Sequence, residues 1–528
     1  MEEPLSNLAQ ALLSVFEKRQ ATNTEQKITV NPVVTKLVSW YEKFRNAMEY
    51  HEEEVIIRAS IERILRRRLL LGGSGKTTAE PLVRELIWGG YFPDDTVPQS
   101  SVQKTEEVID LYLQLRHKIL GKHRFKESTL NEWIYHLMSS EIESIINPNV
   151  ETESMNSFMF QVLRNQVHIV DDERSKDVQV YIAVRKAFSR DDLAFLRFYL
   201  FKQYFGELSN ESLESIADNF VAGFREINKS LSYKRKEVIY NYAKRRAAVF
   251  LILEDVLRKA KMQVRNDELP SIKDFAKDKE KLSQAVFDEC AIRYKSIRQK
   301  VRTAVIRSVL FILATKLMFA FAIEGSYERF VYGKIIWSSL AINTGIPPLL
   351  MIVSSFFIRV PDNNNSKRIL SYIETLLHEE KPQLGGPLTV QLKAEKPGIL
   401  SFIFTFLWFL AFVVSFGLIF FILTKLHFNL VSQFVFAFFL TVVSFLTYRI
   451  SLTSQMYTVL EKHGIGTIIT DFFFMPIVRV GRELAQTVQS INFLLYIFDF
   501  VIETPFKAVF AFFEQWFGFL QSKREELE

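Results

Sequence analysis

Three long uncharged apolar runs in the second half constrain this chain more than anything else in it. Ile335 to Ile358, Gly398 to Thr424 and Leu426 to Tyr448 contain no charged side chain. A helix needs about 20 mostly apolar residues to cross a bilayer. In hydrocarbon, only helices and closed barrels satisfy their own backbone. A turn at His427–Asn429 moves the start of the last span to Leu430. A fourth stretch, Thr303 to Ile323, is apolar apart from Arg307 and Lys316. Four transmembrane helices are therefore expected, and most of the 48 Phe residues lie after residue 300.

Lys and Arg in the short flanks set the orientation. Arg293, Lys295, Arg298, Lys300 and Arg302 precede the first span, and Arg359, Lys367, Arg368, Lys381, Lys393 and Lys396 lie between the second and third. The opposite loops offer only Arg329 and Lys334, and then Lys425. Both termini are thus expected in the cytoplasm, in a multi-pass protein of the cell membrane with almost nothing protruding outside. The first residues, MEEPLSNLAQALL, bear two acids where a signal peptide needs cations.

Residues 1–290 read as an all-helical cytoplasmic domain. Leu37, Trp40, Phe44 and Met48 recur at helical spacing, as do Ile57, Ile61, Ile64 and Leu65, and later Val238, Tyr242, Val249, Leu253 and Leu257. Pro32, with Asn31 as N-cap, suits the first turn of a long helix reaching towards Leu70. Cations and anions nearly balance in this half, which is a poor basis for binding nucleic acid. The single Cys, Cys290, excludes an intrachain disulfide and a cysteine-based metal centre.

Gly72-Gly73-Ser74-Gly75-Lys76-Thr77 looks like the end of a phosphate-binding loop, but Leu70 stands where the first Gly belongs and a basic helix precedes it. The phosphate loop needs a buried strand there. The sequence favours a Gly/Ser turn, with Glu80-Pro81 opening the next helix. The eight His residues form no metal spacing, and no nucleophile elbow or dinucleotide fingerprint occurs. The chain is read as a non-enzyme without a cofactor, although an acid pair assembled in three dimensions would leave no such mark.

Several residues in and beside the spans stand out. Lys316 falls near mid-membrane, where a cation costs at least about 2.5–3.5 kcal/mol unless it faces protein or water. The nearest acid, Glu324, is two turns on and reads as too far for a direct pair. The plainer alternative is a lysine snorkelling from a shifted span. Asn343, Thr344, Pro347 and Pro348 read as a break within the second span, of the kind that lines solute sites, or else as a packed kink. Arg293, Lys295, Arg298, Lys300, Arg302 and Arg307 are candidate contacts for anionic headgroups, besides being a topogenic signal.

Two amphipathic elements follow the second span. Ile369, Leu370, Ile373, Leu376 and Leu377 form one apolar face. In the tail, Asn492, Tyr496, Asp499, Glu503, Lys507, Glu514 and Gln521 share a narrow polar arc on otherwise Phe-rich helices, split at Thr504-Pro505. That pattern suits helices lying in the interface.

The domain plan is a cytoplasmic helical domain (1–290), a basic juxtamembrane segment (291–302), a first transmembrane pair (303–358), a cytoplasmic loop with an amphipathic helix (359–397), a transmembrane hairpin (398–449) and cytoplasmic-side amphipathic or interfacial helices (450–528). The expected function is a membrane-anchored scaffold whose helical domain binds a cytoplasmic protein. The alternative is a transporter or channel subunit using Lys316 and the broken second span. With so few spans, that alternative requires a homo-oligomer.

Overall fold

The computed structural model describes residues 4–18, 25–48, 53–70, 72–170, 172–266, 268–334, 337–391, 399–426, 428–459 and 474–484, with a few positions between 509 and 520. The chain is mostly helical, at 79% helix. It divides into two compact units. One comprises Asn7–Lys244, Gly385–Leu392 and Phe493–Glu528; the other comprises Met1–Ser6, Arg245–Leu384 and Lys393–Asn492.

The first unit begins with α1 (Asn7–Glu17), α2 (Pro32–Met48), α3 (Ile56–Leu70), α4 (Gly75–Trp88) and α5 (Gln99–Lys122). It continues with α6 (Glu127–Ile146), α7 (Val150–Arg164), α8 (Glu173–Ala187), α9 (Leu193–Phe205) and α10 (Leu213–Leu231). Strand β1 (Val167–Ile169) pairs in parallel with β2 (Leu388–Val390), Val167 opposite Leu388. The apolar stripes of α3 to α6, α9 and α10 close on one core containing Ile61, Leu65, Leu82, Leu86, Tyr112, Leu115, Trp133, Leu137, Phe201 and Phe220. Fully burying one such side chain is worth about 1.5–3 kcal/mol.

Pro32 does open α2, but no single helix runs on to Leu70: a 3₁₀ turn, Glu53–Val55, precedes α3. The stripe expected on α2 also points the other way. Val34, Val38 and Tyr41 are buried, while Leu37 and Trp40 are 54% and 70% exposed. This helix carries two apolar edges, and spacing alone does not say which one the core takes.

Helix α11 (Lys236–Arg265) carries the chain from one unit to the other, and the second unit continues with α12 (Ile272–Lys277) and α13 (Lys279–Phe319). A π-helical segment, Ala320–Gly325, follows, then α14 (Ser326–Tyr332), α15 (Trp337–Ser355), α16 (Asn363–His378), α17 (Ile399–Lys425) and α18 (Leu430–Ser454). Three helical stretches are long and apolar enough to cross a membrane: Lys279–Val331, Phe402–Lys425 and Leu430–Ser454. The apolar stretch of α15, Leu340–Ser355, is shorter. Helices α13, α15 and α18 pack together around Ile312, Met351, Phe439, Val443 and Ile450. Away from that contact the surface is apolar, as at Phe402 and Phe409 on α17 and Leu310 on α13.

Polar caps fix helix starts in this unit, among them Asp278 for α13, Asp362 for α16 and Asn429 for α18, each accepting a backbone N–H from three residues on. Asn365 then ties α16 to two other segments. Its amide donates to Tyr294 Oη (2.7 Å) and to the Tyr457 carbonyl (2.8 Å), and its Oδ1 accepts from the Val459 N–H (2.8 Å). Ile369, Ile373, Leu376 and Leu377 are buried as their spacing predicts, with Leu370 at the margin. The helix over residues 474–484 lies so close to α18 that a Cβ on Gly481 would stand 2.3 Å from the Thr441 carbonyl oxygen.

Candidate functional site

Lys316 is fully buried, and its Nζ donates to Glu324 Oε1 at 2.6 Å. This overturns the expectation that the two lie too far apart, and with it the snorkelling alternative. In a regular α-helix eight residues leave an angular offset of about 80° as well as two turns of rise. The π-helical segment holds more residues per turn, so each rotates less about the axis and the offset closes. The long lysine side chain spans what remains.

Glu324 is 1% exposed and satisfied on both oxygens. Its Oε2 accepts from Asn343 Nδ2 on α15 and from Ser432 Oγ on α18 (3.1 Å). Ser432 sits in the first turn of α18, where its own N–H is held by Asn429 Oδ1 at 2.8 Å. The ammonium also stands 5.2 Å from the centre of the Phe439 ring. Thus α13, the π segment, α15 and α18 each supply one or more groups to a closed polar cluster within apolar helices.

The break expected at Asn343–Pro348 is absent. Helix α15 continues through Pro347 and Pro348, both buried. Neither proline has an N–H, so the carbonyls of Asn343 and Thr344, four residues back, lose their helical donors. Packing against α13 and α18 supports the helix across that gap. Asn343 and Thr344 are buried as well, and Asn343 Oδ1 has no hydrogen-bond partner among the described residues. Ser432 was not singled out from the sequence, and Glu324 was weighed there only as an acid out of reach. A serine three residues after a capping asparagine, and an acid eight residues beyond a buried lysine, give no linear signal.

Of the basic flank, Arg293 is engaged within the protein. It grips Asp255 through Nε (2.7 Å) and Nη2 (2.5 Å), with Glu289 at 3.6 Å. Lys295, Arg298, Lys300, Arg302 and Arg307 line the exposed side of α13. The tail stripe, Asn492, Asp499, Glu503, Lys507 and Glu514, lies outside the described residues, as does Pro505.

The glycine-rich segment is a helix start with a different occupant from phosphate. Ser74 and Thr77 cap each other at the start of α4, and the Gly75 N–H donates to Asp110 Oδ1 at 2.7 Å. A carboxylate thus takes the position an anion would need. A Cβ on Gly75 would lie 2.2 Å from the Glu106 carbonyl, so glycine lets α4 and α5 approach. The helix begins earlier than expected, and Pro81 lies inside it.

A second polar cluster, not foreseen from the sequence, fills part of the first unit. Arg58 meets Glu62 (2.5 Å) and Asp192 (2.7 Å). Arg197 donates to Glu132 and to His136 Nδ1, each at 2.8 Å. Guanidinium only donates, so Nδ1 is the acceptor and Nε2 carries the proton facing Glu62, 3.7 Å away. Burial lowers the basicity of His136 and keeps it neutral. Arg185, 2% exposed, pairs with Asp191 and forks onto Glu153 (2.7 and 3.0 Å), its guanidinium 3.3 Å from the Tyr199 ring centre.

Most of these charges are matched; Glu143 is the exception. Burial lifts its carboxyl to about 8 despite Arg58, and Asp191 and Asp192 add to the rise. Its Oε2 has no partner among the described residues. The folded state therefore holds this proton where the unfolded chain releases it, and stability falls as pH rises from about 4.5 towards about 8. Glu143→Gln is expected to leave stability nearly unchanged at about pH 5 and to raise it by about 2–3 kcal/mol at about pH 8. Denaturant titration at the two pH values measures this; a gain equal at both excludes Glu143 ionisation as the cause.

Among the described residues no group of three His, Cys, Asp or Glu side chains is placed to hold a metal ion. Comparison of the chain with family models, curated proteins and solved structures finds no match in any of the three.

Proposed function

We infer that this chain is a multi-pass membrane protein that presents its helical unit to a cytoplasmic protein partner. In this reading α15 is a further span, giving four, and both termini lie in the cytoplasm of a cell whose inner leaflet meets the basic side of α13. Exposed Lys295, Arg298, Arg302 and Arg307 support that orientation.

The observation that carries the interaction role is the outer edge of α2. Its inward edge is already used by Val34, Val38 and Tyr41, yet Leu37 and Trp40 stand exposed one turn apart, flanked by Lys36 and Lys43. Tryptophan is enriched among residues that dominate binding energy, and a Leu–Trp edge matches the apolar face of a partner helix.

Two measurements on the full chain test this. Reporter fusions at Glu328, Glu380 and Glu528 should be external, cytoplasmic and cytoplasmic in turn; an external signal at Glu380 overturns the four-span topology. A photo-crosslinker at position 37 should give one discrete adduct in native membranes, lost in Trp40→Glu with the helical signal intact. Adducts to lipid alone at position 37 would remove the protein-partner role.

A further inference from the structure

We propose that Arg479 holds an anionic phospholipid, its guanidinium taking the headgroup phosphate at a point drawn below the membrane surface, beside Trp408. The inference rests on α17 and α18 crossing the bilayer and is independent of the interaction role.

Two contacts fix the depth. The helix over residues 474–484 buries Ile477 and Gly481, one turn apart on one face. A Cβ on Gly481 would meet the Thr441 carbonyl oxygen at 2.3 Å and Phe445 Cβ at 2.8 Å, so glycine is what lets the backbones approach. Thr441 lies about 17 Å along α18 from Leu430 and about 20 Å from Ser454. The helix therefore packs against the middle of α18 and not against its end. The Arg479 guanidinium stands 5.8 Å from the centre of the Trp408 ring. Trp408 in turn lies about 14 Å along α17 from Ile399. A hydrocarbon core is about 30 Å thick, so both contacts fall inside it.

Charge selects the occupant. Arg479 is exposed and, apart from the Trp408 ring, has no partner among the described residues. Arg482, three residues on, already has Glu483 at 3.6 Å. A guanidinium stays charged, so Arg479 cannot escape the cost of hydrocarbon by losing a proton. It needs an anion at that depth. Met475, one turn before it, and Trp408 are apolar side chains left exposed beside it, as acyl chains would require. A phospholipid supplies both parts: a phosphate that fits the planar fork, and chains that cover the apolar flank. Local thinning of the leaflet brings the phosphate down to the guanidinium. One positive charge calls for a lipid of net charge minus one, because a choline ammonium would restore the surplus.

The test uses the full chain in phosphatidylcholine bilayers with a trace of spin-labelled phosphatidylglycerol or spin-labelled phosphatidylcholine. Electron spin resonance reads the lipid immobilised at the protein. In about 1 M NaCl the Debye length is about 3 Å, so attraction to surface cations such as Lys295 and Arg298 is screened, while a pair inside hydrocarbon is not. The wild-type chain should keep a preference of about tenfold for phosphatidylglycerol under that salt. Arg479→Gln should abolish it, and Lys295→Gln with Arg298→Gln should leave it intact. No salt-resistant preference in the wild type, or an equal one in Arg479→Gln, would overturn the proposal. Should that variant fail to fold, Trp408→Leu keeps the charge and removes the ring, and should cut the preference by about threefold. An unchanged preference there would place the lipid elsewhere and sink the assignment. Displacement by excess inorganic phosphate would show a site for free anions and exclude the lipid. A chain that stays out of the bilayer would overturn the membrane reading, and this proposal with it.

Discussion

Lys316→Met should destabilise the packed helices α13, α15 and α18 by about 3–5 kcal/mol, because it strands the Glu324 carboxylate in a buried position. The double variant Lys316→Met with Glu324→Gln should recover most of that loss. A neutral amide keeps an oxygen for Asn343 and Ser432, and no net charge remains to be solvated. Unfolding of the three proteins in detergent, followed by helix signal against denaturant, separates the cases. Equal damage from the single and double variants would mean that packing around Lys316, rather than its charge, holds the helices.

Arg185→Met is the counterpart in the other unit, with an expected loss of about 3–5 kcal/mol near neutral pH. It removes the fork onto Glu153, the pair with Asp191 and the stack on Tyr199 together. The loss should depend on pH in a defined direction. Burial already lifts the Asp191 carboxyl to about 6 even with Arg185 beside it. Without the guanidinium it rises further, so the variant suffers most above about pH 7, where Asp191 is ionised in the parent. Below about pH 5 both proteins hold Asp191 protonated, and only the stacking and Glu153 contributions remain. A stability gap that does not change between about pH 5 and pH 8 would rule out the Asp191 pair as the origin.

What the sequence revealed and what it hid follow from how local each signal is. The start of α18 was readable because a capping Asn429 and a bounded apolar run are neighbours in the chain. The face of α16 was readable because Ile369, Ile373, Leu376 and Leu377 repeat at one helical period. Two of the three stretches that can cross a membrane, Phe402–Lys425 and Leu430–Ser454, stood out by length and near-absence of charge, and the third, within Lys279–Val331, was legible despite Arg307 and Lys316. The reach from Lys316 to Glu324 was hidden because it depends on a π turn, and the residues over Ala320–Gly325 give no spacing cue for one. The fate of Pro347 and Pro348 was hidden too: two neighbours hold α15 together, and neither is close in sequence. Arg58, Glu143, Arg185 and Asp191 meet only once α3, α6 and α8 and the turn before α9 have packed, and each reads alone as an ordinary charge on a helix face.

The uninterrupted course of α13 has a mechanical consequence. Its 41 residues form one rod of about 60 Å, capped by Asp278 at one end and joined to the π segment at the other. No proline or glycine interrupts it, so it has no internal pivot. A tilt of about 10° around Lys316 would sweep its Lys279 end through about 10 Å. Tyr294, about halfway along, would drag α16 and the Tyr457 segment with it through Asn365. The rod thus has the geometry of a lever arm, in which a small tilt at its buried end corresponds to a much larger displacement at the other.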